Sequence, residues 1–153
     1  MMNPCRAGRV GGLLYLVTVL VAGGAAGCLQ YDWQHDFERG EAQAREQNKD
    51  MFIFYKYYLD SDSNRMLSSE VLSDPEIVSL FQDTINVLID SSFGPQYEAY
   101  VARFGVSSYP ASILVAPNGQ YETLKGFVPK QRFIEFVRDF RRKHAPAEPA
   151  AEP

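Results

Sequence analysis

Ala111-Ser-Ile-Leu-Val-Ala-Pro-Asn-Gly-Gln-Tyr-Glu-Thr-Leu-Lys125 is the stretch that decides the fold. Ala111 to Ala116 is a short apolar run of the kind that fills a buried strand. Pro117-Asn-Gly119 is a hairpin turn signal, and Tyr121 to Lys125 returns as a second strand. Beyond Gly126, Pro129 opens a helix with Phe133, Ile134, Phe136, Val137 and Phe140 at core spacing. A hairpin closed by an amphipathic helix is one end of a layered α/β domain.

Upstream, strands and helices alternate. Met51-Phe-Ile-Phe-Tyr-Lys-Tyr57 is nearly continuous in apolar and aromatic residues, which suits a central strand buried on both faces. Ile85 to Asp90 is a further strand. Asp36 to Asn48, rich in Glu, Gln, Ala and Arg, predicts a helix. Asp60 to Asn64 supplies capping residue types, so a helix begins there. Ser73-Asp-Pro-Glu76 is a capping box that starts another, with Ile77, Val78, Leu80 and Phe81 on its buried face. Pro95 opens a helix carrying Tyr97, Tyr100, Val101 and Phe104, and Gly105 ends it. The expected order is αβα(α)βαββα, a three-layer α/β sandwich.

The 153 residues suffice for one core and not for two full domains. A formal net charge of -4 comes without a basic patch, which argues against nucleic acid as a partner. Residues 1–27 have the anatomy of a secretory signal: Arg6 and Arg9, an uncharged apolar stretch from Val10 to Ala22, then small residues. Ala25-Ala-Gly-Cys28 resembles a lipobox, with Ala25 where that pattern has Leu, so Cys28 is the expected lipid-accepting residue. Ordinary cleavage beside Cys28, giving a soluble periplasmic or secreted chain, is the alternative. Removing Arg6 and Arg9 takes the charge from -4 to -6, and Cys28 becomes the only cysteine left. Residues 28–32 then form a short tether, 33–144 the domain, and 145–153 a Pro/Ala/Glu tail expected to be disordered.

Several segments resemble the thioredoxin-like superfamily, especially its exported members. Trp33 and the helix ending near Asn48-Lys-Asp50 lead into the strand at Met51. Ser69-Glu-Val-Leu-Ser-Asp-Pro-Glu-Ile77 looks like the segment after the active-site helix. Arg103-Phe-Gly-Val-Ser-Ser-Tyr-Pro110, the strand that follows and Pro117-Asn-Gly-Gln120 complete the likeness with Gly126 and the last helix. The resemblance implies a thioredoxin-like α/β/α sandwich with a central mixed sheet and an added N-terminal helix. It also implies a cis peptide bond at Tyr109–Pro110 and a peptide-binding surface beside it.

Counted back from Ser73-Asp-Pro75, the family's Cys-x-x-Cys falls on Ser61, Asp62, Ser63 and Asn64. Thiol–disulfide exchange requires an attacking thiolate and a resolving thiol, and neither position offers one. Where redox-active members carry a buried carboxylate, six residues before the first cysteine, this chain has Tyr55. Ser61 as a nucleophile would require a base, and the chain's two histidines, His35 and His144, lie at opposite ends of the domain sequence. The loop lacks the Gly and distant Glu of a calcium site. The expectation is therefore no catalytic residue, no metal and no cofactor at a degenerate active-site loop.

Tyr58 and Tyr109 are candidates for an aromatic peptide-binding rim, with Pro110 beside them. Tyr55 and Tyr57 either join that rim or belong to the core. The function expected is a redox-inactive binding or scaffolding module, tethered to a membrane by the lipid on Cys28, whose partner is an envelope protein or extended peptide. A thiol–disulfide oxidoreductase-related protein and a purely structural domain are the alternatives.

Overall fold

A computed structural model describes residues 31–144; the expected leader 1–27, Cys28 and the tail 145–153 lie outside the described residues. The elements run β1 (Trp33–Gln34), α1 (Phe37–Gln47), β2 (Met51–Lys56), α2 (Ser61–Leu67), α3 (Pro75–Leu80), β3 (Ile85–Asp90), α4 (Pro95–Ala102), β4 (Ala111–Val115), β5 (Tyr121–Lys125) and α5 (Lys130–His144). A single 3-10 turn, Ser91–Phe93, links β3 to α4. The five strands form one mixed sheet in the order β1-β3-β2-β4-β5. β1, β3 and β2 are parallel, β4 runs antiparallel to β2, and β5 runs antiparallel to β4.

β2 divides the molecule. Phe52 and Phe54 join one core with Phe81, Phe133, Val137 and Phe140; Met51, Ile53 and Tyr55 join the other with Phe37, Val87, Val101 and Ile113. The apolar run has no polar face because each face meets a separate layer of helices.

Three helices start on aspartates whose carboxylates accept a hydrogen bond from the first turn: Asp36 from the Arg39 amide, Asp60 from Ser63 and Asp74 from Glu76. Asp74 corrects the expected capping box, since Ser73 donates its hydroxyl to the Leu67 carbonyl instead. Pro75 and Pro95 open their helices as anticipated.

The sequence pattern missed β1. Tyr31 is 9% exposed and stacks on Trp33 with ring centroids 4.5 Å apart. Burial of these two rings over Phe52 and Phe81 holds the strand against β3.

α1 lies close on β3 because residue 40 is glycine. A Cβ there would sit 2.5 Å from Cγ2 of Val87, a fully buried side chain in a central strand. Gly40→Ala gains helix propensity of about 1 kcal/mol, against about 1–3 kcal/mol for overpacking. The expected outcome is a lower melting temperature, partly recovered in combination with Val87→Ala relative to the sum of the single changes. A rise in melting temperature for Gly40→Ala alone would contradict the close approach.

Candidate functional site

The C-terminal ends of β2 and β3 carry the segments singled out in the sequence. Ser61 is the first residue of α2. The polar side chains around it are committed to the local backbone. Asp60 Oδ2 accepts from the Ser63 amide at 2.6 Å, and the Ser63 hydroxyl oxygen accepts from the Tyr57 amide at 3.3 Å. Asn64 Nδ2 donates to the Tyr58 carbonyl at 3.1 Å. Ser63 is fully buried, whereas Ser61 and Asn64 are exposed. The segment is a helix cap that satisfies its own polar groups.

Arg65 closes the outer side. It pairs with Glu70 at 2.7 Å and Asp62 at 3.6 Å, and its guanidinium lies 3.7 Å above the Phe127 ring. No histidine contacts Ser61 among the described residues. His35 is exposed beside β1, and His144 sits at the far end of the sheet, 2.9 Å from Gln120. Also among the described residues, no group of three or more His, Cys, Asp or Glu side chains is arranged to hold a metal.

The Tyr109–Pro110 bond is cis. Tyr109 meets the start of the α2 segment through its ring: Tyr57 lies 5.1 Å away and Tyr55 6.1 Å, while Tyr58 is 5.2 Å from Tyr57. Burial separates the four tyrosines. Tyr55 is 3% exposed and Tyr57 half-buried, whereas Tyr58 and Tyr109 are 53% and 41% exposed. Among the described residues no backbone hydrogen bond engages Ser107, Ser108 or Tyr109. Their N–H and C=O groups are available to an added strand.

Sequence reasoning missed three parts of this end. Leu59 and Phe93, which follow β2 and β3, are 66% and 64% exposed, adding apolar surface at this end of the sheet. Lys56 and Asp90, paired in register across β2 and β3, form an ion pair whose side chains are 14% and 7% exposed. Both residues end their strands, but only the parallel register brings them together. Burial works to raise the Asp90 carboxyl; hydrogen bonds from Lys56 and from the Ser92 hydroxyl and amide outweigh it and hold the pKa below its ordinary value. The neighbouring Tyr55 has its phenol pKa raised by burial and by the charge of Glu98, with a hydrogen bond to Ser91 opposing.

No family model matches the sequence, and no curated protein is similar to it. Solved structures do match. A thioredoxin from Thermus thermophilus aligns over 74% of this chain and 88% of its own at 19% identity and a TM-score of 0.63. The reduced DsbD C-terminal domain from Neisseria meningitidis aligns over 67% and 90% at 21% identity, TM-score 0.58. A thioredoxin-fold protein from Helicobacter pylori aligns over 67% and 75% at 15% identity, TM-score 0.56. The chain has the thioredoxin fold.

The Lys56–Asp90 pair yields a pH prediction. Because the folded pKa of Asp90 is lowered, its contribution is complete above the unfolded carboxyl value of about 3.9. It is lost as pH falls through the lower folded value. Asp90→Asn leaves Lys56 buried and unpaired and should destabilise by about 3 kcal/mol at neutral pH. Thermal melts across an acid series should show the gap to wild type closing below about pH 4. A gap that stays constant into strong acid would remove the pair from the stability account.

Proposed function

We propose that this chain is a redox-inactive binding module of the bacterial cell envelope, tethered by a lipid on Cys28 and holding an envelope protein or extended peptide at the Tyr58–Tyr109 rim. One observation carries the reading. The positions that would hold Cys-x-x-Cys are Ser61 and Asn64, and the side chains of Ser63 and Asn64 are fixed to the backbone of Tyr57 and Tyr58. Without a thiolate the fold's usual exchange chemistry has no nucleophile. What remains at this end is exposed aromatic surface beside unpaired backbone, the combination that strand-addition sites use. The short uncharged segment and small residues before Cys28 support export and acylation. Among the described residues no helix is long and apolar enough to cross a membrane.

Two measurements test the reading. The purified chain should reduce a disulfide-bonded protein no faster than the uncatalysed background; turnover above it refutes the non-enzymatic assignment. Ser61→Cys combined with Asn64→Cys should create measurable exchange, because the α2 N-terminus favours a thiolate. For binding, photo-crosslinking residues placed at Tyr58 and Tyr109 should trap the same envelope partner, while one at Tyr121, comparably exposed at 44%, should not. Truncating Tyr58 or Tyr109 to Ala should weaken that complex about tenfold. Equal trapping at all three positions would dissolve the rim.

A further inference from the structure

The N-terminal ends of β2 and β3 frame a cleft of about 840 Å³ at the end of the sheet opposite Ser61. This volume is within the range of small-ligand sites, about 300–1,000 Å³. Charges of both signs converge on it: Lys49, Asp50, Asp83 and Arg141. Lys49 and Asp83 pair at 2.8 Å, and Arg141 donates to the Leu80 carbonyl. Asp50 differs from these. Its half-buried carboxylate has no hydrogen bond or ion pair among the described residues, although Arg141 and His144 are near enough to oppose the rise in its pKa that burial causes.

The described chain enters at this same end. Trp33 pairs in parallel with Asn86, so Tyr31 lies toward Thr84 on the cleft wall, with its ring 5.8 Å from Phe81. Only Leu29 and Gln30 separate Cys28 from Tyr31, and two extended residues reach about 7 Å. If Cys28 is acylated, as proposed above, the bilayer surface faces the cleft.

We infer that the cleft takes the headgroup of a phosphoethanolamine lipid, with its ammonium on Asp50 and its phosphate on Arg141. A simple anion would serve the guanidinium and leave Asp50 without a partner; a simple cation would do the reverse. A primary ammonium and a phosphate in one headgroup answer both. Docking of this kind aims the tyrosine rim away from the bilayer, roughly 20 Å along the six-residue β2.

The chain's single tryptophan, Trp33, reads the docked end. Full chain purified from membranes is placed on phosphatidylcholine vesicles with or without phosphatidylethanolamine, each carrying a trace of headgroup-nitroxide lipid. Quenching of Trp33 should be stronger with phosphatidylethanolamine. Asp50→Asn and Arg141→Gln should each weaken the headgroup-dependent part about fivefold, with Asp50→Asn decisive because it leaves the Leu80 contact intact. Quenching that ignores headgroup, or survives Asp50→Asn unchanged, overturns the inference. The mass of the mature chain reports acylation of Cys28 separately. If that chain proves unlipidated, flotation on the same vesicles gives the same comparison, and lack of headgroup dependence again overturns it.

Discussion

Everything in this domain hangs on the two-sided burial of β2. Residues 51–55 are each 3% exposed or less, and successive side chains enter opposite cores. A strand in that position pairs along both edges, parallel to β3 and antiparallel to β4. Both of its ends therefore become places where several elements meet. The C-terminal end receives α2, the turn after β3 and the Tyr109 segment. The N-terminal end receives the caps of α1 and α3, the β4–β5 turn and the last turn of α5. At these ends loops and turns from several elements come together, whereas the faces of the sheet between them are occupied by packing.

Strong local signals made most of this legible in the sequence. The apolar run of β2, the Asp and Pro residues at helix starts and Pro117-Asn-Gly119 each specify their element through short-range chemistry. β1 escaped because two residues carry no period, and it exists only where Tyr31 and Trp33 find Phe52 and Phe81 across the sheet. The Lys56–Asp90 pair escaped for a related reason. Its partners are 34 positions apart, and nothing in either sequence neighbourhood announces the register. Tyr55 was ambiguous because an aromatic residue serves a core or a rim equally well, and only the two-faced environment of β2 decides it. The cap at Asp74 instead of Ser73 reflects competition between neighbouring oxygens for the first turn, with Ser73 drawn away to Leu67.

The loop at Ser61 is built as a helix cap. α2 begins at the end of β2, as a site built on this fold requires, while Asp60, Ser63 and Asn64 act as hydrogen-bonding groups for the surrounding backbone. Here the Ser63 amide is already engaged by Asp60, and the Tyr57 amide by Ser63. Arg65, held between Glu70 and Phe127, ties this cap to the segment before α5.

The buried ion pair fits this division of labour. Lys56 and Asp90 lie where two parallel strands end, just before the segments that carry Tyr58 and Phe93. An apolar pair of similar volume would pack there at less desolvation cost. The charged pair adds direction. Asp90 also accepts from the Ser92 amide and hydroxyl, so one carboxylate sets the 3-10 turn that carries Phe93 while gripping the end of β2. Tyr58 and Phe93 thus descend from strand ends locked to each other. A binding rim made of rings on independent loops would lose entropy when it closed on a partner; rings set on strands joined by an ion pair lose less. The same sheet carries that rigidity to its opposite end, where Asp50 immediately precedes the strand that Lys56 finishes.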